Sequence, residues 1–119
     1  MSNGLIGYAL GGIEISIQRF EKGAWTGGKL HSKPMPPFTT KAVVQPMTGR
    51  DLETLPEGRR QDHVIKLYTD VRLLVSDDHA KERADVLTID GEFFEVIHSE
   101  NWQGLGLTHH KAFAARVKN

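Results

Sequence analysis

Histidine is the residue type in this sequence best suited to metal binding or proton transfer, and the chain has 6 of them. They are His31, His63, His79, His98, His109 and His110. His98 and the His109-His110 pair fall in the last two predicted strands, so a zinc site with Glu100 as a third ligand can be drawn. The spacing matches no metal motif, and adjacent residues of a strand face opposite ways. Surface or packing histidines are therefore favoured, and a His-based metalloenzyme stays as an alternative.

No other arrangement of reactive residue types predicts an enzyme. The Gly-x-Ser-x-Gly, P-loop and Gly-x-Gly-x-x-Gly patterns are missing, and Gly104-Leu105-Gly106 is too weak a signal for phosphate binding. The candidate acidic residues fall in predicted turns, where carboxylates mostly act as solvated caps. They are Asp77, Asp78, Asp85 and Asp90. We therefore expect no catalytic residue, no cofactor and no metal.

Composition and charge narrow the remaining classes of protein. The chain has 119 residues, which suits one domain with one core. Lys and Arg total 15, as do Asp and Glu, so no net field directs the chain to nucleic acid or to an acidic membrane. The absence of cysteine excludes disulfides and thiolate chemistry and fits a reducing cytoplasm. No apolar run approaches the roughly 18 residues of a membrane span, and residues 1–11 lack the basic start of a signal peptide.

Apolar/polar alternation and turn residues predict a mainly β protein: a small antiparallel β-barrel or sandwich with one short helix and long interaction loops. The clearest unit is a hairpin closed by Asp90-Gly91, because Asp-Gly suits the positive φ angles of a type I′ turn. The strands that we predict are 13–18, 39–45, 64–68, 71–75, 86–89, 93–97 and 109–117, the last with Phe113, Ala115 and Val117 on one face. No βαβ pattern is present, which excludes a parallel nucleotide-binding sheet.

Two long segments separate the strands of the single domain expected for 1–119. Between the N-terminal segment 1–11 and the C-terminal hairpin and last strand at 84–117 lie a long basic loop at 21–37 and a helix-loop at 48–62. Thr48 and Asp51 have the spacing of a capping box, which predicts a short helix at 49–54 that Pro56 ends. Loops of this length are usually functional or disordered. The alternatives for 21–37 are a mobile, solvated insert and an arm that orders against a partner.

The interface that we predict lies on these segments and on the tryptophans. Mixed charge in 48–62 suits pairing with a copy of the same chain, and Arg makes forked bonds to carboxylates. Tryptophan is frequent at interfaces, which singles out one Trp in the basic loop and one expected in a Gly-rich corner. The predicted interface residues are Arg50, Asp51, Glu53, Glu57, Arg59, Arg60, Trp25, Lys29, Lys33 and Trp102. A solvated face and core tryptophans are the alternatives.

From about residue 42 onward the chain resembles the head–tail joining proteins of tailed bacteriophages, the head-completion, collar or neck proteins. The series begins with a strand that ends in Gln45-Pro46 and continues through Thr48-Gly49-Arg50-Asp51-Leu52 to Leu55-Pro56-Glu57-Gly58-Arg59-Arg60. Leu67-Tyr68-Thr69, Ala84-Asp85-Val86-Leu87, the hairpin at 90–96, Trp102 and the strand His109-His110-Lys111-Ala112-Phe113 complete it.

The resemblance implies a structural virion protein that forms a ring in the phage neck and joins the DNA-filled head to the tail. The expected partners are further copies of the chain, with six-fold symmetry favoured over twelve-fold, the portal or adaptor protein, and the tail terminator or tail-side ring. The basic residues of 19–41 are expected to face the lumen and genomic DNA, or to dock on an acidic adaptor. The protein would assemble in the host cytoplasm and reside in the virion neck, without a membrane.

A small β-barrel that binds nucleic acid is the main alternative to a ring subunit. Such proteins stack bases on aromatic side chains that alternate with Lys or Arg on an exposed sheet face. The clustered aromatics here are Phe93, Phe94 and Trp102, and acidic residues flank them. Those carboxylates would repel phosphate, which weakens this alternative.

Overall fold

The alternating apolar residues of the strands build a closed barrel. This computed structural model describes residues 12–55, 63–77, 81–104 and 107–117, with the backbone alone at 102–104 and 107–109. The elements are β1 (Ile13–Gln18), β2 (Ala24–Thr26), β3 (Lys29–His31), β4 (Phe38–Pro46), α1 (Gly49–Glu53), β5 (Val64–Thr69), β6 (Val86–Ile89), β7 (Glu92–Gly104) and β8 (Leu107–Arg116). Six antiparallel strands close in the order β1-β4-β5-β8-β7-β6, and β2 pairs with β3 in a separate sheet. The prediction of a mainly β fold with one short helix is confirmed, with a barrel as its architecture.

One face of every barrel strand fills the interior with apolar side chains. Among them Ile17, Leu67 and Leu87 have no exposed surface, and Ile15 and Val96 retain only 1%. Because side chains alternate along a strand, the same pattern that revealed the strands also selects these core residues. The barrel is therefore a packed core without an open passage along its axis.

A second, smaller hydrophobic cluster lies on the outer wall of the barrel, under the helix. The outward-facing side chains of β5 and β8 pack here against residues that precede, form and follow α1. The cluster consists of Leu55, Val64, Phe113 and Ala115, with Met47, Leu52 and Ile97 at its edge. Phe113 and Ala115 share a face as predicted, whereas Val117 lies beyond the strand and is 39% exposed. No helix in the described parts of the chain is long and apolar enough to span a membrane.

The segment between β5 and β6 crosses one end of the barrel, because the two strands it joins are not neighbours in the sheet. Leu73 is 1% exposed and packs against the barrel core from this crossover. The prediction of a strand at 71–75 is wrong. Leu74 exchanges hydrogen bonds with Asp85 rather than with a neighbouring strand, since its N–H donates to the Asp85 carboxylate and its carbonyl accepts from the Asp85 N–H.

Antiparallel alternation places the connections at two opposite ends of the barrel. One end, called here the arm end, carries the β2–β3 hairpin, the crossover and the tip of the β7–β8 hairpin. The other, called the helix end, carries α1 and the Asp90-Gly91 turn. That turn has φ angles of 53° and 80°, which confirms the predicted hairpin. The two ends therefore present different elements to whatever lies above and below the barrel.

Two sequence predictions at the arm end are wrong. Residues 21–37 are not a loop throughout: Gly27 and Gly28, with φ of 62° and 79°, close a two-residue turn between β2 and β3. Trp102 does not lie in a corner but within β7, where it pairs with His109. This pair lies beyond Thr69–His110, the last pair of β8 with β5, so the β7–β8 hairpin extends past its neighbouring strand. Both tryptophans are thus carried by extended hairpins at the arm end.

Candidate interaction surfaces

The β2–β3 hairpin, called here the arm, is fixed to the barrel at its base. The N–H of Met35 donates to the Arg19 carbonyl at 2.8 Å, and the N–H of Glu21 donates to the Lys33 carbonyl at 2.9 Å. The Gln18 side-chain amide donates to the Met35 carbonyl at 2.6 Å. These bonds join the two strands of the arm where they leave the barrel. The arm therefore has a defined root.

A buried ion pair fixes this root to the crossover. The Asp85 carboxylate is fully buried and accepts hydrogen bonds from Arg19 Nε at 3.0 Å, Arg19 Nη2 at 2.9 Å and the Leu74 N–H at 2.8 Å. Arg19 Nη2 also donates to the Arg72 carbonyl, and the guanidinium lies over the Phe38 ring. Hydrogen bonding to Asp85 raises the pKa of Arg19 above its ordinary value. The pair was missed from the sequence because 66 positions separate its members and only the fold brings them together.

The arm has two chemically different faces. Trp25 pairs with Leu30, and residues directly opposite each other on paired strands share a face. Lys29 pairs with Thr26 and His31 with Ala24, so a cation and an imidazole lie on the other face. Trp25 is 45% exposed, and the Lys29 side chain is also exposed. The arm therefore presents an apolar face and a basic face.

The arm forms no sheet with the barrel. Within the described strands β2 and β3 pair with each other, and neither packs against a barrel strand. Its link to the body consists of the root and a bond from the Gly23 N–H to the Lys81 carbonyl at 2.9 Å. An isolated two-stranded hairpin is marginally stable in water. Ordering of this one is therefore expected to gain from a second surface.

An apolar groove of about 500 Å³ runs along the outer wall beside the arm root. Its lining includes Phe20, Pro37, Val86, Phe93, Glu95 and Val117. Phe93 is 48% exposed, and the Arg83 guanidinium stacks 3.9 Å from the centre of the Phe20 ring. Exposed apolar patches rimmed by polar groups mark contact sites more often than they occur by chance.

The predicted charged interface at 48–62 is partly engaged within the subunit. The capping box is present: the Asp51 N–H donates to Thr48 Oγ1 at 3.1 Å, and the Thr48 N–H donates to Asp51 Oδ2 at 3.0 Å. Lys66 Nζ also lies 2.7 Å from Asp51 Oδ2. This hydrogen bond, with those from Thr48, lowers the pKa of Asp51 from 3.8 to about 2. Asp51 thus holds the helix on the barrel, which its place in the sequence alone did not indicate.

The remaining predicted interface residues divide between exposed and undescribed positions. Arg50 and Glu53 are exposed on α1, and Lys33 is exposed at the arm root. Glu57, Arg59 and Arg60 lie outside the described residues. Trp102 is placed by its backbone in β7. The described part of the set therefore falls at both ends of the barrel rather than in one patch.

The histidines that suggested a metal site are held apart by strand register. His98 pairs with Phe113, whereas His110 pairs with Asn101, three positions further along the hairpin. His98 Nε2 lies 2.9 Å from Glu100 Oε2, and its ring packs against Phe113 with 5.2 Å between centroids. Within the ranges that the structure describes, no group of three His, Asp or Glu side chains could hold a metal ion.

The aromatic side chains considered for base stacking face different ways. Phe94 is 4% exposed and packs in the barrel core, while its neighbour Phe93 faces the groove. A stacking platform needs successive rings on one exposed face. These two adjacent rings do not form one.

The described surfaces are an exposed tryptophan on a projecting hairpin, an apolar groove on the wall and a charged helix at the opposite end. Apolar anchors with polar surroundings are typical of contacts between polypeptides. No protein-family model matches the chain, and a search of the curated proteins found no match.

Proposed function

We propose that this chain is a structural subunit that assembles into a ring in the neck of a tailed bacteriophage, between the head and the tail. The observation that carries the proposal is the arm: an ordered hairpin, rooted by a buried ion pair, that pairs with no barrel strand and exposes Trp25. A packed barrel with such an arm is suited to holding neighbours rather than to turning over a substrate. The resemblance to head–tail joining proteins supplies the biological setting.

Two different ends support a place between unlike neighbours. The arm end presents two hairpins that carry the tryptophans, and the helix end presents Arg50 and Glu53. A subunit between a portal or adaptor and a tail-side ring has to contact unlike surfaces above and below it. Further copies of the chain would lie at its sides. The basic face of the arm, with Lys29 and His31, is the part that we expect to meet genomic DNA or an acidic adaptor.

The assembly test is native mass spectrometry and electron microscopy of the chain, alone and with its portal, adaptor and tail components. We expect a ring, with six copies favoured over twelve. A chain that remains monomeric with every one of these components present would contradict the proposal.

A charge reversal tests the role of the 48–62 segment in that ring. The double substitution Arg59→Glu/Arg60→Glu is expected to block assembly and to leave the monomer folded, since like charges across an interface repel. The matched control is Lys41→Glu/Arg72→Glu, which reverses two exposed cations on the barrel wall and the crossover. Equal assembly by both double variants would place the subunit interface elsewhere.

Nucleic-acid binding remains the second candidate, and the basic face of the arm is the observation that favours it. Lys29 and His31 share this face, and Lys33 follows two residues later. Binding through phosphates weakens steeply as salt is raised, because bound cations are released. Tight, steeply salt-dependent binding of single-stranded DNA by the isolated chain would favour this function over the ring.

A further inference from the structure

The large hydrophobic side chains that the described part of the chain leaves exposed fall in two places. Trp25 and Met35, 45% and 40% exposed, belong to the arm and its root. Phe93 and Val117, 48% and 39% exposed, line the groove. Two separate apolar surfaces on one small domain are more than its solubility favours. One projects from the molecule and the other is concave, so their shapes are complementary.

The arm is unable to fill the groove of its own subunit. Phe20 and Pro37 line the groove and also flank the arm root, so the groove begins where the arm leaves the barrel. Trp25 lies five positions beyond Phe20, about 16 Å along an extended strand. A paired hairpin does not bend back on itself within this distance, and β2 and β3 pack against no barrel strand. The Trp25–Leu30 face is therefore directed at another molecule.

Charge favours a second copy of the chain as that molecule. Three lysines and one glutamate lie between residues 21 and 37: Lys22, Lys29, Lys33 and Glu21. The groove offers the Glu95 carboxylate on its floor, while its cation, Arg83, is stacked on Phe20. A basic arm with an apolar face therefore matches an apolar groove that carries a carboxylate.

We infer that the arm of one copy lays its Trp25–Leu30 face in the groove of the next copy, with Trp25 against Phe93 and Val117. The contact joins two different surfaces, and a contact of this kind closes into a ring when the rotation between copies is a whole fraction of a turn. This inference rests on the ring of the proposed function and assigns the surfaces that hold it together.

The absence of cysteine from the natural chain makes the contact directly testable. Trp25→Cys and Phe93→Cys chains are purified separately, mixed in equal amounts and oxidised, both alone and after assembly with the portal, adaptor and tail components. We expect a disulfide-linked dimer in the mixture and neither variant linked to itself. The double variant Trp25→Cys/Phe93→Cys should give a ladder of linked species that ends at the copy number of the ring.

Thr26→Cys is the matched control, because Thr26 lies next to Trp25 but on the opposite face of the arm. Its mixture with Phe93→Cys should link at least tenfold less. Self-linking of Trp25→Cys, or equal linking by Thr26→Cys, would overturn the inference. Rings seen by native mass spectrometry without the Trp25–Phe93 disulfide would overturn it too, while the proposed function would stand. A chain that never forms rings contradicts the proposed function, and the inference falls with it.

A second pair of variants tests the same contact without cysteine. Trp25→Glu is expected to raise the protein concentration at which half of the chains are assembled by about tenfold or more. Thr26→Glu should change this concentration by less than about threefold. Both side chains are exposed in the single subunit, so its thermal midpoint should be unchanged in either variant. Equal effects of the two substitutions would contradict a role for the Trp25 face.

Discussion

The Asp85 carboxylate is a charge inside the protein, and its environment shows why it is tolerated there. Burying an ionised group is costly unless it is paired and hydrogen-bonded. Arg19 supplies both the opposite charge and two N–H donors, and the Leu74 N–H supplies a third. The same pair connects the arm root to the crossover. Its loss is therefore expected to affect both stability and the direction of the arm.

We predict that Arg19→Met lowers the free energy of unfolding by about 3–5 kcal/mol, because it leaves the buried carboxylate without its cation. Arg19→Met/Asp85→Asn should cost less than Arg19→Met alone, since the amide removes the uncompensated charge. Urea unfolding of the single and double variants measures both values. Arg72→Met is the control and should change stability by less than about 0.5 kcal/mol, because this side chain is exposed. A double variant less stable than Arg19→Met would contradict the electrostatic explanation.

Asp51 links the helix to the barrel in a way that depends on pH. Its pKa is about 2 in the folded chain and near its ordinary 3.8 when unfolded. The stabilisation by Thr48 and Lys66 is therefore complete above about pH 4 and is lost as the pH falls toward 2.

We predict that Asp51→Asn lowers the free energy of unfolding by about 1–2 kcal/mol at pH 6, the scale of a hydrogen bond to a charged group. Its deficit relative to the natural chain should shrink as the pH falls from 4 toward 2. Urea unfolding at several pH values in this range provides the measurement. Glu14→Gln removes an exposed carboxylate on β1 and serves as the control. A deficit that is constant across the range would argue against the Lys66 pair as its source.

Elements set by local sequence were predictable, and those set by distant contacts were not. Asp90-Gly91 and the Thr48–Asp51 spacing specify a turn and a helix start within four residues, and both are present. Gly27-Gly28 carries an equally local signal for a hairpin, but the surrounding glycines and prolines suggested an unstructured loop instead. The 71–75 segment has the residue types of a strand. Only the closed barrel order, which leaves it no neighbouring strand, turns it into a crossover.

Two glycines in open surroundings provide a matched test of these local elements. An added Cβ at Gly91 or at Gly49 meets no atom within 4 Å, so a substitution acts through the backbone alone. Gly91 has φ of 80°, and Gly91→Ala should lower the free energy of unfolding by about 1–2 kcal/mol. Gly49 begins α1, and Gly49→Ala should raise it by about 0.4–1 kcal/mol. Thermal and urea unfolding measure the two shifts, and shifts of equal sign would contradict the assigned roles.

At the scale of the whole molecule, the barrel and the arm are separable. The arm leaves the barrel between β1 and β4, which pair with each other from Ile13–Ala42 to Ile17–Phe38. A short turn between these strands would preserve the barrel wall. The 2.8 Å bond between Met35 and Arg19 already has the geometry that such a turn needs.

We predict that replacing residues 20–34 by Asn-Gly leaves a folded barrel that does not assemble. The lost contacts are the Arg83–Phe20 stack and the Gly23–Lys81 bond, so the free energy of unfolding should fall by no more than about 2 kcal/mol. Circular dichroism tests folding, and native mass spectrometry tests assembly. A variant that keeps the arm, with Asn-Gly in place of Gly27-Gly28, is the control and should assemble. An armless chain that still forms rings would remove the arm from the interface.

The candidate surfaces were only partly visible in the sequence. Trp25, Lys29 and Lys33 were selected by residue type, and they lie on the arm. The groove was not predicted, because its lining comes from strands far apart in the chain, such as Ser16, Val86 and Phe93. Asp51 was selected for its charge, but its partner Lys66 lies 15 positions away on the barrel. Sequence types identify adhesive residues, whereas the fold decides which of them remain available.

The filled interior of the barrel has a consequence for anything that would travel through the proposed assembly. Six strands enclose too narrow a cylinder for a conduit, and aliphatic side chains occupy it from one end to the other. Cargo would therefore have to move through a bore between copies, whose width depends on how many copies surround it. Substitutions inside the barrel should change how firmly each copy folds but not the width of that bore.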